Sequence, residues 1–333
     1  MGKLSPKDLK KLLRCIKADS RVVIPPMAGY DSGVHWIGDM RLVVSTDPCI
    51  GVPTEWFGWL LIHYAASDVA LFGAKPQFCT INLLGPPATT PSTFQKIMRQ
   101  ACKAAEHLNM AVVTGHTGTY EGLSTLVGVC TAYGQVDKNK LITPGGARSG
   151  DIIVCTKPLG LEIAVNLALM NRGLAEKLFG VQQARRLAKY VPMQSCVGEA
   201  LALADVEGVH AMHDLTEGGL VTSLNEMAEA SKLGLRIEYE RISIFPEAQK
   251  LGEAFGLSWQ QQLSMSSTGT ILVAVSPQAE NEVLSVLKNQ GLEACRLGVF
   301  TEEKRRILVK GGKERRFPEK AEDPYERILS GAL

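Results

Sequence analysis

The chain has 333 residues, of which 45% are hydrophobic and 21% charged, with a formal net charge of +2 at pH 7. At roughly 150 residues per domain, that length exceeds one ordinary core and sets an expectation of two domains. The near-balanced charge gives no electrostatic case for a nucleic-acid or anionic-membrane partner.

Ser5, Pro6 and Asp8 supply an N-cap, a first-turn proline and a first-turn acid, so a short amphipathic helix is expected to run through Ile16. Strands are expected at 22–24, 34–37 and 42–46, punctuated by glycine and aspartate. A mostly buried helix over 55–71 is stopped by Gly73 and Pro76, and a strand follows at 78–84. A helix over 93–108, a strand at 111–114, a glycine turn and a strand at 125–133 complete the first half. The segment TPGGARSGD at 143–151 combines proline, glycines and polar residues without an apolar period, which places a domain boundary near Ala147 and divides the chain into 1–146 and 147–333.

Beyond that boundary the pattern predicts a strand at 152–156, helices through about Leu203, a strand at 209–212 and a helix over 217–231. Further strands at 235–239, 270–275 and 295–300 bracket helices at 247–255 and 278–289. Alternating strands and helices in both halves favour two α+β or α/β layers over an all-helical or sandwich fold. The basic cluster Lys304–Arg306 with Lys310, Lys313, Arg315 and Arg316 reads as a solvated face or a hairpin in preference to a polyanion site.

Eight cysteines are scattered mostly within apolar runs, no pair has C-x-x-C spacing and no signal peptide opens the chain, so reduced thiols in a cytoplasmic protein are expected. The longest apolar stretch, 56–72, is interrupted by His63, Ser67 and Asp68, which argues against a membrane span.

Asp68 is the sharpest chemical signal. An aspartate in a helix otherwise built from Trp, Leu, Ile, Tyr, Ala and Val is costly to bury ionised without a partner, and a cation is one solution. Asp31 in AGYDSG and Asp47 in STDPCIG fall in short turns, where aspartate also serves simply to cap local backbone. Together the three make a hard oxygen set suited to Mg²⁺. TGHTGTYEG at 114–122 offers glycine-freed N–H groups and threonine hydroxyls to an anion, although hairpin turns share that composition; His116 is a ligand, an acid/base group or a turn residue. In HDLTEGGL at 213–220, Asp214 or Thr216 can cap a helix that Glu217, Gly218 and Gly219 open, which serves either a ligand or an ordinary strand-to-helix turn. Neither a P-loop nor a dinucleotide fingerprint is present.

These segments together resemble the AIR synthase (PurM-like) superfamily, which includes aminoimidazole ribonucleotide synthetase, HypE, thiamine-monophosphate kinase and selenophosphate synthetase. The order is kept over nearly the whole chain: the turn at Asp31, STDPCIG, SDVALFGAKP, TGHTGTYEGL, SGDIIVCTKPLG and HDLTEGGL. The wording is most similar to HypE-like and AIR-synthase-related proteins and departs further from thiamine-monophosphate kinase.

The resemblance implies a PurM-like N-terminal domain with a mixed sheet that binds ATP and dimerises, and a C-terminal α/β domain that closes on the nucleotide. By position, Asp31, Asp47 and Asp68 match aspartates that hold Mg²⁺, with Asp68 and His116 as catalytic candidates. Thr46, Asp47, Gly115, Thr117, Asp214, Thr216, Glu217, Gly218 and Gly219 are the nucleotide-contact candidates. Several relatives carry an aspartate where this chain has His116, and a second acid where it has Tyr30. The activity implied is ATP-dependent phosphorylation of an oxygen on a small or carrier-bound acceptor, with a nucleotide-binding maturation or regulatory factor as the alternative. HypE ends in Pro-Arg-Ile-Cys; here Glu326-Arg327-Ile328-Leu329 stands in a similar place, so self-cyanation on a terminal thiol is not expected, and an amphipathic terminal helix explains those residues equally well.

Overall fold

The computed structural model describes residue 4, residues 6–137 and residues 140–331, so the expected cap Ser5 lies outside the described residues. The chain divides into two compact units, one spanning Lys10–Leu141 and one built mainly from Ile142 onward.

The first helix, α1 (Pro6–Leu13), stops short of the expected Ile16. In the N-terminal unit follow β1 (Val22–Ile24), β2 (Ser32–Ile37), β3 (Met40–Ile50), α2 (Phe57–Leu71), β4 (Phe78–Gly85), α3 (Pro91–His107), β5 (Ala111–Thr119) and β6 (Val127–Val136). The six strands form one sheet in the order β1-β2-β3-β6-β4-β5, antiparallel except for β4 and β5. Helix α2 is apolar on nearly all sides because it lies between β3 and β6 and the second helix, α3. Along β6 the residues Gly128, Cys130, Ala132 and Gly134 are buried, whereas Val127, Val129, Thr131 and Tyr133 between them are only half-buried. The sheet therefore has one helix-covered face and one open face.

Two strands run furthest past their expected ends. β3 continues through Asp47 and Pro48 to Ile50, paired with β6 throughout, while β2 reaches only Ser45. Among the described strands, residues 46–50 therefore lack a neighbour on the β2 side, and proline is tolerated in such an edge segment. β5 continues to Thr119, so the chain after Thr114, where a glycine turn was expected, is still strand. A Cβ on Gly115 would stand 2.0 Å from the Ile81 carbonyl oxygen, and the glycine is what lets this edge strand lie close along β4.

In the C-terminal unit the elements are β7 (Ile152–Cys155), α4 (Leu161–Met170), α5 (Arg172–Phe179), α6 (Val181–Leu187), α7 (Val197–Ala204), β8 (Val209–Asp214), α8 (Gly219–Ser231) and β9 (Gly234–Glu238). After these come α9 (Pro246–Ala254), α10 (Trp259–Leu263), β10 (Ile271–Val275), α11 (Glu280–Asn289), β11 (Cys295–Thr301), β12 (Arg306–Lys310), β13 (Lys313–Arg316) and α12 (Tyr325–Ser330). The sheet order is β13-β12-β9-β11-β7-β10-β8, with β9 and β12 its parallel pair. Every residue of β7 and β10 is buried, as strands covered on both faces require. One face packs Ile153, Cys155, Leu272 and Ala274 against Leu220, Leu224 and Ala228 of α8.

A second core joins α4, α5, α6 and α9 to the terminal helix α12, whose Ile328 is fully buried. The basic cluster forms the hairpin β12–β13, turning at Gly311–Gly312, and several of its charges are paired locally, as in Arg316 with Glu319 and Arg305 with Glu303. Among the described residues no helix is long and apolar enough to cross a membrane.

Candidate functional site

Asp68 sits in the last turn of α2 at 4% exposure, on the side of the helix that meets β3. Ser45 of β3, itself buried, places its Oγ 2.7 Å from Asp68 Oδ2 and 2.9 Å from the backbone oxygen of Asp31. A hydroxyl carries one proton, so Ser45 donates to these two acceptors in turn or shares its proton between them. Asp31 lies in the bend immediately before β2, and the pairing of Ser32 with Ser45 brings it there. Asp47 is half-buried two residues beyond Ser45 and therefore on the same face of β3, the face covered by α2. It lies close to the buried Cys49: burial first and the Asp47 carboxylate second push that thiol well above its usual range. Ser45 thus links the Asp68 carboxylate to the Asp31 backbone, and Asp47 follows on the same face of β3. Ser45 was missed from sequence, although its place within STDPCIG was visible.

The remaining candidates of this unit lie elsewhere. Strand alternation sends Thr46 to the open face, where its Oγ1 accepts from Thr131 Oγ1 at 3.0 Å. Paired positions then align Thr46, Thr131, Thr80 and Thr114 in a row across four strands. His116 pairs with Asn82, whose side chain also faces away from the helices, and its Nε2 is hydrogen-bonded to the Tyr120 hydroxyl. Within this unit Asp68 and His116 are therefore on opposite faces of the sheet. Gly115 and Thr117 flank His116 in the exposed edge strand β5.

In the C-terminal unit, HDLTEGGL joins β8 to α8. The helix begins at Gly219, two residues later than expected, because Gly218 and Gly219 both have positive φ, at 83° and 50°. Neither tolerates a side chain: a Cβ on Gly219 would stand 2.4 Å from the Met265 oxygen, and one on Gly218 would stand 2.1 Å from Thr222 Oγ1. The N-cap position falls to Gly218, not to the expected Asp214 or Thr216. The Gly218 N–H donates to Asp323 Oδ2 at 2.9 Å, and Ser266 Oγ donates to the same oxygen. Asp323 thus occupies the donor position expected for an anion; lying 105 residues from Gly218, it gave no sequence signal. Asp214 is buried beside His213, whose Nε2 is 3.0 Å from Glu226 Oε2. Thr216 is half-buried and Glu217 exposed.

Glu162, at the first turn of α4, is a further candidate. Its Oε2 accepts from Thr268 N at 2.9 Å, and burial pushes its carboxyl up to about 7 against those hydrogen bonds, with the Asp323 and Glu217 charges adding to the rise. A carboxyl that keeps its proton near neutrality can donate it. The signal was an acid in the otherwise apolar LEIAVNLALM, the same signal that marked Asp68. Nearby, buried Lys157 donates to the backbone oxygens of Met193, Ser195 and Gly269 and pairs with Glu199, so its charge is fully engaged.

Two family models match this chain: the AIR synthase related protein N-terminal domain over residues 29–136 and the corresponding C-terminal domain over residues 148–310. A Methanocaldococcus jannaschii protein named for hydrogenase expression/formation is 26% identical over 287 residues, 84% of this chain and 82% of that one. A selenide, water dikinase of Carboxydothermus hydrogenoformans is 26% identical over 341 residues, covering 93% and 95%. The E. coli HypE structure, a hydrogenase maturation protein, matches with a TM-score of 0.74 at 23% identity, over 86% of this chain and 88% of that one. A HypE structure in complex with ATP matches at 0.71 and 19% identity, over 86% and 87%. At those identities the solved structures establish the fold alone, that of the HypE structures.

Proposed function

We propose that this chain, which belongs to the AIR synthase related protein family, uses Mg²⁺ and ATP to phosphorylate, and so activate, an oxygen of a small or carrier-bound acceptor. The observation that carries the reading is the Asp68 carboxylate, buried in an apolar helix and bonded to the Ser45 hydroxyl, which also reaches the Asp31 backbone oxygen. Asp31, Asp47 and Asp68 are the proposed ligands: their hard oxygen donors fit Mg²⁺, which when bound offsets charge on the phosphates. Gly115, Thr117 and Thr46 are the proposed nucleotide contacts of the N-terminal unit, and Asp214, Thr216, Glu217 and Gly219 those of the C-terminal unit, with the Gly218 N–H joining them once Asp323 is displaced. In the transfer, the acceptor oxygen attacks the γ-phosphorus as the bond to ADP breaks, and a proton must leave the acceptor. Asp68 and His116 lie on opposite faces of the sheet, so they are proposed for separate tasks, Asp68 at the metal and His116 as a proton carrier.

The assembly proposed is a cytoplasmic homodimer formed through the N-terminal sheet. Edge strand β5 is hydrogen-bonded to β4 alone among the described strands and exposes Val112 and Val113.

Calorimetric titration of Mg-ATP into wild type and Asp68→Ala is the test. The variant is expected to bind at least ~10-fold more weakly, a loss of about 1.4 kcal/mol. Equal binding by two folded proteins disposes of the reading. A second reading, nucleotide binding without turnover, is favoured by the placement of His116 on the face away from Asp68. Phosphate release that depends on an added acceptor ends it.

A further inference from the structure

Strands β7 and β11 run antiparallel and set Cys295 directly opposite Cys155, with Arg296 opposite Val154. Residues so opposed keep their Cα atoms about 4.5–5.5 Å apart with side chains on one face. That separation lies within the roughly 4.4–6.8 Å that a disulfide spans. Both thiols are free. Cys155 is buried in the core under α8, and its Sγ donates to the Lys157 oxygen at 3.3 Å. Cys295 is half-buried at the margin of the same core.

The two sulfurs are not equivalent. Their mutual contact lowers the Cys295 thiol below its ordinary value, with further help from a hydrogen bond to the Ser243 backbone, while the same contact and full burial raise Cys155. The more accessible thiol is therefore the one that ionises first, and the thiolate is the nucleophile. A second pair provides an internal contrast. Cys79 and Cys130 are neighbours on β4 and β6, but their register is diagonal, Cys79 opposite Ala132 and Ile81 opposite Cys130, and both are at 0% exposure.

We propose that Cys155 and Cys295 form a reversible oxidation site that a hydroperoxide converts to a disulfide. The Cys295 thiolate attacks one peroxide oxygen; a sulfur–oxygen bond forms, the oxygen–oxygen bond breaks, and the departing oxygen takes up a proton. Cys155 then attacks the resulting sulfenic sulfur and gives up its own proton. The disulfide forms and the hydroxyl leaves as water with that proton. The thiols lose two electrons and hydrogen peroxide is reduced to water. The product fastens β7 to β11 just before Thr156 and Lys157.

The full chain carrying Cys15→Ser and Cys102→Ser, which removes the exposed thiols, is treated with hydrogen peroxide at neutral pH. It is then alkylated under denaturing conditions and digested without reductant. The expected result is a peptide pair joined through Cys155 and Cys295, with both sites lost to alkylation and restored by dithiothreitol. In Cys155→Ser, Cys295 is expected to trap dimedone as a sulfenic acid; in Cys295→Ser, Cys155 is not. Where the serine variant fails to fold, Cys155→Ala preserves the apolar site. Full alkylation of Cys155 and Cys295 after peroxide overturns the proposal, as does a Cys79–Cys130 link in their place or dimedone on Cys155 in Cys295→Ser.

Discussion

In the C-terminal sheet, β7 and β10 read IIVC and ILVAV and bury every residue; in the N-terminal sheet, β6 reads VGVCTAYGQV and buries every second one. The first pair is sandwiched and contributes to stability from both faces. The second strand is half committed: its helix side belongs to the core, and its other side carries two valines, a threonine, a tyrosine and a glutamine on an open face. A sheet covered on one side keeps a surface available for a second subunit or a ligand, and its stability depends on fewer of its residues.

Matched substitutions test that contrast. Leu272→Ala, in the doubly covered sheet, should cost about 2–5 kcal/mol, because a fully buried leucine leaves a cavity that its neighbours cannot fill. Leu84→Ala, on the open face of β4, should cost less than about 1.5 kcal/mol in the monomer. Chemical denaturation that finds equal losses breaks the distinction.

Next in size is the pH response of Glu162. Its folded pKa of about 7 lies above the ordinary 4.5, so folding favours the protonated form; this stabilisation is complete below about 4.5 and is lost as pH rises through 7. The loss is on the order of 3 kcal/mol at most. Glu162→Gln should flatten the wild-type decline in melting temperature between pH 5 and pH 8; parallel curves would show that burial of the carboxyl is not the cause.

Gly115→Ala should cost about 1–3 kcal/mol, since the new Cβ meets the Ile81 oxygen and forces β5 away from β4. Amide exchange localised to β5 and β4 would register it, and unchanged protection in both strands would count against the close approach. The smallest effect is expected from Thr131→Val, which removes the hydroxyl contact with Thr46 on the open face and should shift stability by less than about 1 kcal/mol. A larger loss would mean that this face is more committed than its exposure indicates.

Much of this architecture was legible. The apolar run over 55–71, the all-buried strands and the glycine-rich joints each leave a local trace, because periodicity and backbone freedom are properties of neighbouring residues. Asp68 stood out by the same logic, as an acid inside an apolar helix; Glu162 carries the same mark in LEIAVNLALM but was not singled out from it. The edge strand at Gly115–Thr119 was not legible as strand, since glycine and threonine there serve close approach to β4, and the same letters suit a turn.

The amino-acid order alone determined the family and the succession of strands and helices, and it singled out Asp31, Asp47 and Asp68. Only the tertiary structure decided that Ser45 joins Asp68 to Asp31, that Thr46 and His116 lie on the open face, and that Asp323 rather than Asp214 or Thr216 meets the Gly218 N–H. The physical reason is that a strand's register and a helix's docking select which distant residues share a face. A contact spanning 105 residues leaves no periodic mark in the chain.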